Sequence, residues 1–466
     1  MSADIGLVGM GPMGKNLAIN FHTKGFSVAV HNRTHSKAEA AANEVNSPNF
    51  RAYKDVADFV AALRPPRVVI LLVQADVVDS VGEAIAAKLS RDDILIDSGN
   101  SLYKLTETRR DHFRERFGVH FYGIGISGGE EGALKGPAIM VGGDRESAHG
   151  RLLPLLERVC ALPQVAGADN RRCIAYCGAG GAGHMVKMVH NGCEYGIMQL
   201  IAEACVLLRS ALGLTAAQAG DVFSSAGAHE GAYLFENVAQ VLRKKEGADC
   251  LIDKVKDIAR QKGTGRWTSV EALNHGVPTS IIDAGVLART FSEQRHHISL
   301  ADDGSCSGKV DLKEGDVIDA LMAGVVLTFQ QSMDLIVAIS NRMGYETDLA
   351  EVLQAWRGGC IIRMNFLTEL ATYYRSAAAG ALLIEAPFIR ERYLNTKTIE
   401  SLRRVVGLGL HRGIPMPAFT AVVTYVDLLR TDRLATAYIQ GMRDNFGAHT
   451  FERIDKPGTH HADWSE

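Results

Sequence analysis

The stretch Asp4-Ile5-Gly6-Leu7-Val8-Gly9-Met10-Gly11-Pro12-Met13-Gly14 runs from a short apolar strand pattern, Asp4–Val8, into a G-x-G-x-x-G turn. A helix-like segment, Lys15–Lys24, follows, then Gly25 and a second strand pattern, Phe26–Val30. Strand, glycine turn, helix and strand in this order and spacing are what a dinucleotide-binding unit requires. Gly9 permits the tight turn, Gly11 lets backbone approach a pyrophosphate, and Gly14 lets the helix pack on the strand. Unpaired N–H groups and a partial positive charge at the helix start then face the phosphates. Gly9 to Gly14, with Met10, Pro12 and Met13 between them, are the expected pyrophosphate contacts.

The end of the second strand chooses between cofactors. An NAD site usually has Asp or Glu there to accept bonds from the ribose 2′-hydroxyl. This chain has His31-Asn32-Arg33-Thr34, with no carboxylate. Arg33 can pair with a 2′-phosphate, and Asn32 and Thr34 can supply further donors. NADP is the expected cofactor; the alternative is a permissive site in which Arg33 is a surface cation.

Strand patterns recur at Val68–Val73, Ile94–Ile96 and Phe121–Gly125, separated by helical stretches. Such alternation builds a mostly parallel sheet with helices on both faces, an α/β, Rossmann-type doubly wound fold. Ligands lie beyond the carboxyl ends of its strands. The segments placed there are Gln74-Ala75-Asp76 (with Val73 before it), Asp97-Ser98-Gly99-Asn100-Ser101 and Ile126-Ser127-Gly128-Gly129-Glu130-Glu131-Gly132. The Ser-Gly-Gly turn can hold a carboxylate through its N–H groups and hydroxyl, or serve only as a turn.

Bulk composition mostly excludes. The 466 residues carry 50 Lys+Arg against 53 Asp+Glu, a net charge of −3. That argues against a generally basic nucleic-acid binder or a polybasic membrane protein, so any anionic ligand must be met by a local cluster of cations. No stretch is expected to approach the roughly 20 apolar residues of a membrane span. The cysteines (Cys160, Cys173, Cys177, Cys193, Cys205, Cys250, Cys306 and Cys360) form no C-x-x-C pair. They read as reduced core residues, with neither a disulfide framework nor a zinc site suggested. With no signal-peptide pattern at Met1-Ser2-Ala3-Asp4, a cytoplasmic protein is expected. Glycine is the excess: 47 residues, clustered at 6–14, 123–143, 178–183, 263–265 and 358–359. Clusters of this kind mean close backbone approach or turns with positive φ.

Beyond Cys177 the strand patterns fade, and helical patterns dominate to about residue 430, so a domain boundary is expected near 177. A glycine-rich lead-in, Gly178 to Gly183, precedes His184-Met185-Val186-Lys187-Met188-Val189-His190-Asn191-Gly192-Cys193-Glu194-Tyr195. Lys187, His190, Asn191, Glu194 and Tyr195 share one helix face by their spacing, while Val186, Val189, Cys193 and Ile197 share another. The polar face is either solvated or catalytic. A surface face rarely gathers His, Asn and Tyr behind such a lead-in, which favours the catalytic reading. Lys187 is expected near the first turn, where the helix dipole would help lower its pKa toward that of a general base. Glu194, two turns on, is the matching acid if burial raises its pKa.

At this point the run GHMVKMVHNGCEYGIMQLI resembles the signature of the decarboxylating 6-phosphogluconate dehydrogenase family, within the β-hydroxyacid dehydrogenase superfamily. So do DIGLVGMGPMGKNL, VHNRT, GISGGEEGALKGP, ARQKGTGRWT, WRGGCIIR and RDNFGAHTFER, in the family's order from residue 4 to residue 453. The resemblance implies NADP-dependent oxidative decarboxylation of 6-phosphogluconate to ribulose 5-phosphate and CO2, in gluconate utilization and the pentose phosphate pathway. It makes Lys187 the base and Glu194 the acid, without a metal. Asn100, Ser127, Gly128, Gly129, His190 and Asn191 match groups that orient the substrate. Tyr195, Lys262, Thr264, Arg289, Arg443 and His449 match the phosphate end, and Val73, Gln74, Ala75 and Asn100 match cofactor contacts. The implied organisation is a Rossmann domain over 1–177, an all-helical substrate and dimerisation domain over 178–432, and a tail over 433–466. In the family that tail completes the site of a partner subunit, so a homodimer is implied. Within the helical part, Gln199 to Gly213 resembles Gln330 to Gly344.

The departures fall in the cofactor domain. Gln74-Ala75-Asp76 stands for the family's Lys-Ala-Gly, Ser98 for a Gly, and Val141 for a Pro; Gly11, where the family often has Ala, restores the general fingerprint. Asp76 is expected to weaken phosphate affinity. Two other functions set the alternatives. A β-hydroxyacid dehydrogenase of the same broad group would lack the phosphate cage and the tail, and an NADP-binding redox sensor would have no need of both Lys187 and Glu194.

Overall fold

The structure, a computed structural model, describes residues 2–294 and 311–465. Its first part is one eight-stranded sheet: β1 (Ile5–Val8), β2 (Val28–His31), β3 (Phe50–Tyr53), β4 (Val68–Leu71), β5 (Ile94–Asp97), β6 (His120–Ser127), β7 (Ala138–Gly142) and β8 (Ile174–Gly178). The spatial order is β3-β2-β1-β4-β5-β6-β7-β8. Every neighbouring pair is parallel except β6 with β7, which is antiparallel. The chain winds outward from β1 to β3 and returns to place β4 on the other side of β1. That reversal is the crevice where such sheets bind ligands.

Strands buried on both faces explain the apolar runs. Ile70 and Ile96 join one core layer, and Val69, Leu71 and Leu95 join the opposite one. Helix α1 (Pro12–Thr23) covers the first layer and α2 (Tyr103–Phe117) the second, with Leu17 and Phe21 against Ile70, and Phe113 stacked on Phe121. The short α3 (Gly129–Lys135) leads out of β6. Strands β3, β7 and β8 went unread in the sequence. β3 is half-exposed, and only short helical segments, α3 before β7 and residues 145–157 before β8, separate the last strands.

Long helices follow: α4 (Ala182–Val206), α5 (Thr264–His275), α6 (Ser280–Gln294) and α7 (Glu314–Met343). This part is not purely helical, because β9 (Lys245–Glu246) and β10 (Asp249–Cys250) form a small antiparallel hairpin within it. Helices α4 and α7 pack on each other, and each repeats one device. Gln199 bonds Glu203 at 2.9 Å and Gln330 bonds Asp334 at 2.6 Å, with positive-φ Gly213 and Gly344 closing the two runs. Helix α7 corrects the expectation about membrane spans, since by length and composition it could cross one. Its apolar residues are mostly buried inside the protein, against α4 and the helices around it, as in the core helix of a large bundle.

The last segment forms an arm: α8 (Thr436–Gly447) and a hairpin of β11 (Phe451–Glu452) with β12 (Thr459–His460). Asp444 organises it. Its fully buried carboxylate accepts from the Thr450 and Ala462 N–H groups and from Trp464 Nε1, and bonds His461. Seven of the cysteines are free; Cys306 lies outside the described residues.

Candidate active site

The dinucleotide site begins at the β1–α1 turn. Gly9 has φ +100°, and a Cβ there would come within 2.9 Å of the Leu72 carbonyl carbon. Met10 N–H donates to Asn32 Oδ1 at 2.9 Å, tying the turn to the end of β2, and Asn32 Nδ2 donates to the Thr34 carbonyl. Gly11 caps α1 with Pro12 first in the helix; no side chain bonds the free N–H groups, and no acidic residue stands in the first turn. A Cβ on Gly11 would meet nothing within 4 Å. The turn thus presents open space lined by N–H donors, which suits a pyrophosphate. Arg33 and Thr34 are exposed beside it. Across the crevice Val73 and Ala75 are half-buried, and Gln74, Asp76 and Asn100 are exposed. The donor set fits a dinucleotide carrying a 2′-phosphate.

Helix α4 brings the chemistry against this sheet. It is buried nearly all round, so the polar face is no solvated surface: Lys187, His190, Asn191 and Tyr195 are buried and Glu194 is half-buried. Lys187 is the sixth residue of α4, in its second turn, and the expected influence of the helix dipole does not reach that far. Gly181, which caps α4, already donates its N–H to Glu107 at 2.6 Å, offsetting the positive end. Burial is what lowers the Lys187 pKa, against the opposing pull of Glu194. Burial likewise raises Glu194, while Lys187 and Arg289 oppose it. Lys187 and Glu194 make no hydrogen bond or ion pair among the described residues, so both remain available.

His190 is held neutral by burial and by the neighbouring lysine. With Nδ1 donating to Asn191 Oδ1 at 3.2 Å, Nε2 accepts from Ser127 Oγ at 3.2 Å, and Trp356 supports the ring edge-on. Ser127 ends β6, and the Gly128–Gly129 turn follows with φ of +107° and +62°. A Cβ on Gly128 would meet the Gly359 carbonyl oxygen at 2.6 Å, so the WRGGC segment packs directly behind the turn.

Near the middle of α4, one turn beyond Asn191, the Arg289 guanidinium stands 3.6 Å over the Tyr195 ring. Gly265 permits this, because a Cβ there would press on that ring at 2.6 Å. Thr264 is the first residue of α5, behind Gly263 (φ +94°), with no acidic residue in the first turn, and exposed Lys262 precedes it. A helix start, a stacked guanidinium and a lysine make an anion seat.

The fold therefore gathers Ser127, Gly128, Gly129, Lys187, His190, Asn191, Glu194, Tyr195, Thr264 and Arg289 around α4. It leaves Arg443 and His449 on the exposed arm, where Arg443 donates to Gln440 and His449 packs on Phe446. Among the described residues, no group of three or more His, Cys, Asp or Glu is placed to hold a metal ion. Three neighbours of the candidate site went unread in the sequence: Cys360, whose thiol acts electrostatically on Lys187, Trp356 against His190, and Arg109 behind the crevice loops. Nothing in the Arg109 segment, TETRRDHFRERF, sets it apart from surrounding solvated charges.

A doubly wound sheet with an open phosphate turn, set against a buried lysine on a long helix, defines a two-part, dinucleotide-dependent oxidoreductase. Residues 4–178 match the family profile for the NAD binding domain of 6-phosphogluconate dehydrogenase, and residues 183–464 that for the 6-phosphogluconate dehydrogenase C-terminal domain. The chain belongs to the 6-phosphogluconate dehydrogenase family. It is 40% identical over 476 residues to the NADP(+)-dependent, decarboxylating 6-phosphogluconate dehydrogenase of Bacillus subtilis, covering 99% of this chain and 98% of the relative. To the decarboxylating enzyme of Escherichia coli K12 it is 38% identical over 470 residues, covering 99% and 98%. The Plasmodium falciparum 6-phosphogluconate dehydrogenase, solved apo and with its cofactor NADP+ and its substrate 6-phosphogluconate, superposes with a TM-score of 0.89 at 33% identity, covering 99% of this chain and 100% of that one.

Proposed function

We propose that the protein oxidises and decarboxylates 6-phosphogluconate to ribulose 5-phosphate and CO2 with NADP+, without a metal, using Lys187 as base and Glu194 as acid. The observation that carries this is the pairing on α4. A buried lysine pushed down and a half-buried glutamate pushed up stand two turns apart, both free of partners. Near neutral pH these shifts favour an amine that accepts a proton beside a carboxyl that donates one. The family membership and the NADP+-dependent relatives support the substrate and the cofactor.

Gly9 to Gly14 would hold the pyrophosphate, Asn32, Arg33 and Thr34 the 2′-phosphate, and Val73, Gln74, Ala75 and Asn100 the nicotinamide side. Bound NADP+ supplies the hydride acceptor. Lys187 takes the proton from the C3 hydroxyl of the substrate. Protonated, it then polarises the new C3 carbonyl, which draws in the electrons of the C1–C2 bond as CO2 leaves. The ammonium does the polarising that a metal would otherwise do. Glu194 donates its proton to the carbon that lost CO2, completing ribulose 5-phosphate. Ser127, oriented by His190, and the N–H groups of Gly128 and Gly129 hold the carboxylate. Tyr195, Lys262, Thr264 and Arg289 hold the phosphate.

Arg443 and His449 complete that phosphate site in a partner subunit, on this reading, with the enzyme acting as a homodimer. The arm exposes Tyr438, Met442 and Phe446, and α5 and α6 expose Leu273, Leu287 and Phe291, which is apolar area suited to a partner. The working units are then the sheet domain to residue 177, the helical domain over 178–432 and the arm over 433–466.

Purified protein given NADP+ and 6-phosphogluconate is expected to yield NADPH and CO2 in equal amounts. NADPH without CO2 would point to a β-hydroxyacid dehydrogenase instead, and neither product to a redox sensor. Lys187→Ala should nearly abolish turnover while NADP+ binding stays measurable; loss of that binding would count against a purely chemical role.

A further inference from the structure

Arg109, on α2, is almost sealed between the loops that leave β4 and β5. A guanidinium offers five N–H donors in one rigid plane. Here each finds an acceptor. Nε donates to Asp79 Oδ1 at 2.6 Å, and Nη2 to Asp79 Oδ2 at 3.0 Å and to the Ala75 carbonyl at 2.9 Å. Nη1 donates to Asp97 Oδ2 and to Ser101 Oγ, both at 3.3 Å. Asp97 in turn accepts from the Gly99 N–H at 2.9 Å and from Ser101 Oγ at 2.6 Å, shaping the turn that presents Asn100. The loops also touch directly, since a Cβ on Gly99 would come within 2.8 Å of the Val73 carbonyl oxygen.

Neutralising buried Asp97 would need a single cationic contact. Arg109 instead grips separate points on two loops, and buried ion pairs contribute little net stability on their own. The same helix also grips the start of α4. Thr106 Oγ1 bonds His184 Nδ1 at 2.7 Å, and Glu107 holds the Gly181 N–H at 2.6 Å. Helix α2 thus sets the crevice loops and the lysine-bearing helix in one frame.

We propose that Arg109 is a positioning residue for the cofactor: it fixes the spacing between the Val73–Ala75 loop and the Asn100 turn, and thereby where the nicotinamide end rests relative to Lys187. This rests on the reading of those loops as NADP+ contacts. Arg109 acts through Ala75, Asp97 and Ser101 without touching the cofactor itself.

The test is NADP+ binding to the full-length protein by calorimetry, with Asp79→Asn and Arg109→Lys beside the wild type, together with thermal midpoints and steady-state kinetics. The Asp79 side chain is 66% exposed, so Asp79→Asn folds and decides the matter alone if Arg109→Lys does not fold. Weakening one charge-assisted pair should raise the NADP+ Kd about three- to tenfold in Asp79→Asn, and losing the fork about tenfold or more in Arg109→Lys. KM for NADP+ should rise more than KM for 6-phosphogluconate, a split that general destabilisation would not give. An NADP+ Kd within about twofold of wild type in the folded variants overturns the role of Arg109 and leaves the functional reading intact. Failure of the wild type to bind NADP+ overturns both.

Discussion

Gly125 lies on β6 directly beneath Lys187, and adding one methyl group there tests whether the placement of the lysine governs the rate. A Cβ at this position would stand 3.0 Å from Lys187 Cγ and from the Gly183 carbonyl oxygen, and closer still to Lys187 Cβ. Carbon atoms pack best at about 3.5–4.0 Å, so strand and helix must part by roughly 1 Å or more to clear Lys187 Cβ. Rotamer changes cannot relieve the clash, because Cβ and a carbonyl oxygen are fixed to the α4 backbone. The φ of Gly125 is not positive, so an alanine meets no backbone penalty and the contact alone is tested. Overpacking of this kind costs about 1–3 kcal/mol in stability. A reacting group misplaced by about 1 Å can lower the rate about 100-fold. Gly125→Ala should therefore lower kcat by about 30- to 100-fold while the NADP+ Kd stays within about twofold, since the phosphate turn at Gly9–Gly14 lies on another strand. The assay is steady-state NADPH absorbance at saturating substrate, with calorimetry for NADP+. Gly150→Ala, whose added Cβ would meet nothing within 4 Å, is the matched control and should behave as wild type. A folded Gly125→Ala protein with kcat within about threefold of wild type would refute the claim that lysine placement limits catalysis.

Three further outcomes are expected. The pH–rate profile should be a bell: as pH falls Lys187 gains a proton and ceases to be a base, and as pH rises Glu194 loses the proton it must donate. Glu194→Gln should leave slow activity with a single rising limb, and persistence of the alkaline limb would assign it to another group. Asp76→Gly should lower KM for NADP+ about two- to fivefold, the scale of removing one exposed like charge near a phosphate, and an unchanged value sinks that idea. Inactive Lys187→Ala and Arg443→Ala proteins, unfolded and refolded together, should regain activity, because a mixed dimer joins an intact lysine to an intact partner arm. No recovery would refute the crossing arm.

Most of the sheet is legible because the continuous apolar runs, the glycine turn and the helix spacing at β1, β2, β4, β5 and β6 agree. The three unread strands mark where that agreement ends. Edge strand β3 carries Arg51 in a half-exposed run, and β7 and β8 join the sheet after its one antiparallel step. Helix α7 misleads in the opposite direction, since an apolar run of its length belongs either in a bilayer or in the centre of a bundle. Composition does not separate those settings; what packs around the helix does. Arg109 was illegible for a related reason. Its importance comes from acceptors on residues 75, 79, 97 and 101, which meet only once the strands are ordered.

Lys187 and Glu194 show how a sequence can give a right direction for a wrong cause. Spacing alone puts both on one face of α4, and a lowered lysine was expected from the helix dipole. The helix begins five residues earlier, at Ala182, and Glu107 already meets its positive end, so the dipole contributes little at Lys187. Burial does the shifting, and burial depends on how close β6 and α4 come. Gly125 and Gly183 allow that approach, since a side chain on either would strike the facing backbone or the lysine. Two of the clustered glycines and the proposed Lys187–Glu194 pair are therefore linked: the missing Cβ atoms bring sheet and helix together until the amine loses its water. By that argument, substitutions on β6 that touch no ligand should move the acid limb of the pH–rate profile. Opening the contact rehydrates the lysine, raises its pKa and shifts the limb to higher pH. Gly125→Ala is thus expected to displace that limb upward as well as slow the reaction. A slower enzyme with an unmoved limb would mean that geometry, and not desolvation, is what the glycine secures.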